Sequence, residues 1–300
     1  MPRDALRNLP LPDHAGLCYQ RAAPLRSSDG KFDSDRARPF FDHLESLKPD
    51  ASYNDAQQRW QESFKAAIGA KRALLWSVIA ETRLLIGHGN PAPTEVGLTL
   101  GHTFGMPVLP GSGLKGLCAH YTQVVYGPDP DEDDAERDRF RGPRFNEQGR
   151  LVVAPGDVYK RLFGTPPSGA RDDEDDDKLS GEDGDKPNSD KFGARGEVIF
   201  HDAWLEPGPP PLARDVLAVH QPSYYTKGQA PVDHESPIPV SFLTVRPGAR
   251  FTLALTSDAD DAAKLLDLAK RLLSEALEHW GVGGKTAAGY GRLRAVEARR

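Results

Sequence analysis

The stretch that most constrains this chain lies near its end. Residues 281–291 read Gly-Val-Gly-Gly-Lys-Thr-Ala-Ala-Gly-Tyr-Gly, five glycines in eleven residues. Glycine loses the most backbone freedom on ordering and brings no side chain to a core, so no helix or strand interior tolerates that density. The run must therefore join two elements. Before it, Leu265, Ala269, Leu272, Leu273, Ala276 and Trp280 recur at helical spacing, with Asp258 or Asp260 placed to cap the start and Gly281 just past the end. After it, residues 289–296 read as a closing strand. A phosphate-binding P-loop is excluded twice over: it needs a strand before and a helix after, and a glycine where His279 stands.

Upstream, Trp76, Val78, Ala80, Leu84 and Ile86 alternate with Ser77, Glu81 and Arg83, which predicts a long half-buried strand over residues 74–86. Trp60, Phe64 and Ile68 predict a helix beginning near Asn54. A second helix follows Pro110-Gly111-Ser112-Gly113-Leu114-Lys115-Gly116, on the stripe Leu114, Leu117, Cys118, Tyr121 and Val125, with Ser112 as its N-cap. Residues 157–163 suit a short helix. A strand is expected over residues 196–204, with Val198, Phe200, Asp202 and Trp204 on one face. Shorter strands are expected from Asp215, over residues 240–245 and over residues 250–256. Without its insertions the order is strand, helix, strand, strand, helix, strand. This is an α+β, ferredoxin-like (RRM-like) βαββαβ domain with long loop insertions. Residues 1–50, rich in Pro, Arg and Asp, read as an extended N-terminal arm, and residues 51–300 as a single domain.

The net charge of −6 conceals a basic body. Residues 129–139 hold seven acidic and two basic side chains, and residues 171–191 hold ten and four. Both are acidic insertions, and the second is too poor in apolar residues to pack, which predicts a disordered surface loop. Outside them, 27 acidic residues face 32 basic ones, a balance that permits a polyanionic partner without requiring it. No signal-peptide core and no span of roughly 18 apolar residues is present. Cys18 and Cys118 are the only cysteines, too few for a disulfide framework or a zinc site, so a cytoplasmic location without membrane association is expected.

Three segments carry candidate chemistry. In residues 281–291, glycines allow backbone N–H groups to approach a phosphate, and Lys285 adds charge. A plain turn and a clamp on an RNA strand both fit. In residues 110–116, Gly111 and Gly113 flank a helix N-terminus, where free N–H groups and the dipole favour an anion. Lys115 opposes that dipole unless something negative sits there. It is not a hydrolase elbow, since Pro110 and Leu114 occupy the positions where that motif has glycines. Tyr224, Tyr225 and Lys227 form an aromatic and cationic loop that either stacks on unpaired bases or anchors the loop. His88, His102, His201, His220 and His234 are scattered, and neither Cys-x-x-Cys nor His-Glu-x-x-His is present, so no catalytic site, metal or cofactor is expected.

The order of these segments resembles the RAMP proteins of type III CRISPR effector complexes. Residues 84–116, with Leu84, His88, Glu95, Gly97 and the Pro-Gly-Ser-Gly-Leu-Lys-Gly run, resemble the family's first block, in which Gly113 stands where a second serine is usual. Phe163-Gly164 looks like the short element that follows, residues 196–204 like the strand with Asp-Ala, and residues 281–291 like the C-terminal glycine-rich motif. His220, Tyr224, Tyr225 and the segment Phe242-Leu243-Thr244-Val245 are similar to the portion typical of the sixth subunit of Cmr (type III-B) complexes. The resemblance spans residues 70–295 and implies a non-enzymatic subunit. Such a subunit holds the 3′ part of the guide (CRISPR) RNA at the end of the backbone filament, near the target RNA. Its neighbours would be the backbone RAMP subunit, the small helical subunit and another RAMP subunit, with cleavage left to the backbone subunit. It also implies RNA-binding roles for Gly111, Ser112, Gly113, Lys115, Gly283, Gly284, Lys285, Thr286, Tyr290 and Arg292, and a guide–target duplex contact for Tyr224, Tyr225 and Lys227. Three other readings share the pattern. One is a RAMP endoribonuclease cutting CRISPR repeats through His120, the second a filament-end subunit of a type III-A (Csm) complex, and the third a protein-binding scaffold.

Overall fold

The structure, a computed structural model, describes residues 10–23, 34–94, 96–129, 134–165, 193–219, 228, 230 and 238–296. Its centre is an antiparallel sheet. The long strand β1 (Ala73–Ala80) lies between the terminal strand β12 (Leu293–Ala295) and β11 (Arg250–Ser257). On its other side β11 pairs with β7 (Val198–Phe200) and β8 (Ala203–Leu205), and β8 pairs with β2 (Val108–Leu109). The two principal helices are α5 (Gly111–Tyr121) and α8 (Ala262–His279). The apolar stripe of α8 is buried as its spacing requires, with Ala269, Leu272, Leu273 and Ala276 fully shielded. It packs on the sheet face that carries Val78, Phe251, Leu253 and Leu205.

The opposite sheet face is covered in part. α3 (Ala51–Glu62) and α4 (Lys65–Gly69) place Trp60 and Phe64 against Leu75 and Ala254. Trp60 stacks on Trp204 with centroids 5.6 Å apart, and Gln61 donates from Nε2 to Thr252 Oγ1 at 3.1 Å. Helices of this chain therefore cover one face of the sheet and the part of the other that carries Leu75, Thr252 and Ala254, while Arg250 and Arg294, paired with Ile79 on that second face, stay exposed.

β1 ends at Ala80, six residues short of the strand expected from alternation. The buried phase nevertheless continues: Leu84 bridges Val245, and Ile86 stays buried. The strand expected over residues 196–204 is broken into β7 and β8. Phe200 faces Leu255 and Trp204 faces Thr252, so four steps on one strand answer three on the other. This is a bulge, and the extra residue resets the side-chain phase. Ala203 and Leu205 become core residues, while Trp204 turns to the face of α3. The expectation that Val198, Phe200, Asp202 and Trp204 share one face is thereby corrected.

Residues read as an extended arm are partly helical. α1 (Ala15–Arg21) and α2 (Ser34–Ser46) bury Ala15, Cys18, Tyr19, Phe40, Phe41 and Leu44 in the main core. The hydroxyl of Tyr19 donates to the Val96 carbonyl at 2.7 Å, tying α1 to the loop after β1. β9 (Leu212–Val219) and β10 (Ile238–Val245) form a separate two-stranded sheet, docked on α2 by the Arg214 N–H to Glu45 Oε1 bond at 2.7 Å.

Smaller elements complete the described chain: α6 (Ala135–Asp138), β3 (Arg144–Phe145), β4 (Leu151–Val153), α7 (Asp157–Phe163), β5 (Gly164–Thr165) and β6 (Ala194–Arg195). α7 has the bounds its sequence gave. Arg161 on α7 ion-pairs with both Glu197 and Asp261, clamping α7 to the N-terminus of α8. Asp261, not Asp258 or Asp260, occupies the N-cap position, and its carboxylate goes to Arg161 instead of the helix N–H groups. In the first acidic insertion, Asp129 and Asp138 pair with Arg137 and Arg141. The second insertion, residues 171–191, lies outside the described residues. Among the described residues no helix is long and apolar enough to cross a membrane.

Candidate nucleic-acid interface

The first glycine loop departs from its expected geometry at the helix start. Pro110, not Ser112, is the N-cap of α5, and no side chain of the cap caps the helix locally. The cap arrives from 91 residues away. Asp202, turned out by the bulge, accepts from the Gly111 N–H at 2.7 Å. A carboxylate at a helix N-terminus is stabilised by the aligned N–H groups and the dipole. The anion expected at this end is thus, in part, one of the chain's own side chains. Gly111 is also required sterically, because a Cβ there would lie 2.2 Å from the Phe200 carbonyl oxygen. Ser112 and Gly113 are exposed, and a Cβ on Gly113 would meet nothing within 4 Å. Lys115 is half-buried and makes no ion pair among the described residues.

The second loop is built against the extension of β1. Gly284 donates to the Leu85 carbonyl at 2.7 Å and Gly291 to the Arg83 carbonyl at 2.8 Å, while Val282 donates to the Gly291 carbonyl at 2.9 Å. Gly283 has φ +92°, and a Cβ there would lie 2.5 Å from the Leu85 oxygen, so only glycine fits. Lys285 itself has φ +60°, an uncommon left-handed conformation for a residue with a side chain. Thr286 opens a 3-10 turn (Thr286–Ala288) that closes on Gly289. The Lys285 ammonium sits over two rings, 5.6 Å from the Phe242 centroid and 6.0 Å from that of Tyr290. The Tyr290 hydroxyl donates to Asp215 Oδ2 at 2.7 Å; burial and then that carboxylate raise its pKa to about 12. Arg292 donates from its guanidinium to the Glu278 carbonyl at 3.1 Å, at the end of α8.

No hydrogen bond, ion pair or ring contact joins the two loops among the described residues. They meet opposite ends of α5: the helix begins in the first, and its last residues, His120 and Tyr121, pack on Trp280, just before Gly281. Eleven helical residues span about 16 Å. Lys285 and Tyr290 are brought into contact and Thr286 opens the turn between them, but Arg292 turns to the end of α8, and Ser112 and Lys115 lie in the other loop. Tyr224, Tyr225 and Lys227, with His220 and His234, lie outside the described residues.

Three residues at the second loop were missed by sequence reasoning. Arg83 and Asp215 form an ion pair at 3.3 Å beside Tyr290, and Phe242 lies under Lys285. The signal for Arg83 was its place on the polar face of the alternation that runs on past β1. Nothing local marked Asp215. The exposed His88 also lines the loop, since a Cβ on Gly284 would lie 2.8 Å from its Cβ.

Two histidines and both cysteines have structural surroundings. His201 bonds Thr256 Oγ1 at 2.9 Å and packs on Phe64, and burial lowers its pKa despite Asp202. His120 is exposed and meets Trp280 edge-on at 5.1 Å. Cys18 and Cys118 are buried free thiols; burial raises both pKa values, that of Cys18 to about 12. Among the described residues no group of three or more His, Cys, Asp or Glu is arranged to hold a metal ion.

Comparison with known proteins places this chain in a family. The CRISPR system Cmr subunit Cmr6 of Pyrococcus furiosus is 26% identical over 260 residues, covering 82% of this chain and 74% of that protein. A chain in the cryo-EM structure of the type III-B Cmr-beta bound to cognate target RNA has the same fold, with a TM-score of 0.54 at 15% identity over 91% of this chain and 78% of that one. The crystal structure of Cmr6 from Pyrococcus furiosus matches at 24% identity over 75% of this chain and 98% of that one, with a TM-score of 0.39. The RAMP superfamily model runs from within β1, at residue 78, to residue 294 in the last strand, and the chain belongs to that superfamily.

Proposed function

We propose that this chain is an RNA-binding structural subunit of a type III-B (Cmr) CRISPR effector complex, holding the 3′ part of the guide RNA and capping the backbone filament. The observation that carries the reading is the likeness to a Cmr6 protein along 82% of the chain. The glycine loop supports it, with the Lys285 ammonium seated over the rings of Phe242 and Tyr290. We read the sheet order β12-β1-β11-β8, with α5 and α8 as the connecting helices, as that of a ferredoxin-like βαββαβ unit.

On the second sheet face the aromatic side chains Trp60, Phe64 and Trp204 are engaged with one another, so base stacking on the sheet is not part of this reading. RNA is held instead by loops, through phosphate and ribose, leaving base edges free to pair with the target RNA. Lys285, Thr286, Tyr290 and Arg292 grip one part of the strand, and Ser112 and Lys115 a neighbouring part. The neighbours in the assembly are the backbone RAMP subunit, the small helical subunit and another RAMP subunit, in the cytoplasm. The chain's part in this reading is structural, and cleavage of target RNA belongs to the backbone subunit.

The test is to tag the protein in its own operon, purify it gently and sequence the RNA and proteins that accompany it. Short RNAs with repeat-derived 5′ ends, together with several RAMP subunits, are the expected result. Recovery with full-length repeat precursors and their cut products, lost in His120→Ala, would replace this reading with a processing nuclease.

A further inference from the structure

The residues around Lys285 form a linked series that the proposed grip on RNA does not by itself require. Asp215 on β9 and Phe242 on β10 are directly opposed across that two-stranded sheet. Phe242 is buried with Leu85 and Val96, and Tyr290 packs against the same cluster. The Asp215 carboxylate is fixed at both oxygens: Oδ1 accepts from the Val216 N–H at 2.8 Å, and Oδ2 accepts from the Tyr290 hydroxyl and faces Arg83. Arg83 is anchored in turn by bonds to the Arg214 carbonyl and Thr244 Oγ1, both at 3.3 Å. The β9–β10 sheet thus supplies one of the two rings under the ammonium and the acceptor that orients the other.

Resting on the RNA-binding reading above, we infer that Asp215 is a positioning residue. By holding the Tyr290 hydroxyl, with Arg83 fixing the carboxylate, it keeps the Lys285 ammonium over two rings and turned toward a phosphate of the RNA strand. A lysine side chain otherwise samples many rotamers, and ordering it on binding opposes association. The β9–β10 sheet and the glycine loop then act as one unit on the RNA.

The sign of the effect separates this from simple electrostatics. Removing a carboxylate beside a polyanion site should tighten RNA binding, whereas losing the positioning should weaken it. The experiment uses the full chain and a 5′-labelled oligouridylate, with affinity measured across a salt series and folding checked by thermal melting. Lys285→Ala should weaken binding about tenfold. It should also flatten the salt dependence by about 0.7 of a log unit per log unit of salt, one phosphate contact on a single strand. Asp215→Leu should reproduce much of that loss and the same flattening, and add little in the Lys285→Ala background. Asp215→Asn, which keeps an acceptor for the Tyr290 hydroxyl, should bind as the wild type or tighter. Tyr290→Phe keeps the ring and loses the bond, and guards against Asp215→Leu failing to fold. If Lys285→Ala weakens binding while Asp215→Leu and Tyr290→Phe leave affinity and salt slope unchanged, or act additively with it, the positioning role is overturned and the RNA site stands. If Lys285→Ala itself has no effect, the loop's part in RNA binding falls, and the inference with it.

Discussion

The loop before α5 and the loop after α8 look alike in sequence, each pairing glycines with one lysine, yet their glycines answer different demands. In the first, Gly111 has an ordinary helical backbone and is needed because the Phe200 carbonyl passes 2.2 Å from where a Cβ would be. In the second, Gly283 has φ +92° and is needed for its backbone conformation as well as for its closeness to the Leu85 carbonyl. The electrostatics differ likewise. The helix end in the first loop is met by Asp202, whereas the lysine of the second is held over aromatic faces with a carboxylate one residue further out. A glycine-rich motif is therefore no single device: one of these loops is a packing joint that presents a helix end, the other a shaped backbone that presents a cation.

That contrast can be broken by substitution, beginning where the loss should be largest. Gly111→Ala drives a methyl into the Phe200 backbone and should destabilise the chain by about 3 kcal/mol, the upper range for overpacking, in denaturant unfolding. A near-neutral result would mean the bulge yields easily and the joint is not tight. Gly283→Ala should lose about 2 kcal/mol through its left-handed backbone and its carbonyl contact. Asp202→Ala removes the cap of α5 and should lose about 1 kcal/mol, while Asp202→Asn keeps most of the stability. Equal losses in both variants would show that charge, not hydrogen bonding, is what the helix end requires. Gly113→Ala is the control with the opposite sign. In open space on a helix it should gain about 0.7 kcal/mol, and weaker guide retention despite that gain would mark Gly113 as a point where RNA comes close. Lys115→Glu should give the smallest change in stability, a gain of about 0.5 kcal/mol from the helix dipole, alongside a loss of guide RNA from the purified complex.

What could be read in advance followed the range of the interactions involved. α8, α7 and the buried phase of β1 depend on side chains three or four residues, or two residues, apart, and their patterns were plain. Gly281 ends α8 as its sequence indicated. The N-terminal helices were obscured by composition: Pro39 lies inside α2, yet Phe40, Phe41 and Leu44 already had helical spacing, as did Ala15, Cys18 and Tyr19. At the candidate interface, the glycine run that carries Lys285 and Tyr290 is local, and its turn was legible. Its partners were not, because Asp215 stands 75 residues from Tyr290 and only tertiary folding brings them together. The same holds for Asp202, whose role depends on a bulge that no alternation pattern can announce, since alternation assumes the strand has no extra residue.

That extra residue has a consequence for comparing this chain with its relatives. Side chains along a strand are dealt alternately to two sides, and the insertion at His201–Asp202 changes the deal for everything after it. A relative with one residue fewer at this point would need no bulge: three steps would answer three, and its equivalents of Ala203, Trp204 and Leu205 would keep the sides they have here. An alignment gap placed a few positions away would look harmless on paper and would equate inward residues with outward ones throughout the strand. For this segment the correct place for a gap is dictated by geometry, at the two residues between β7 and β8, whatever the letter-by-letter score prefers.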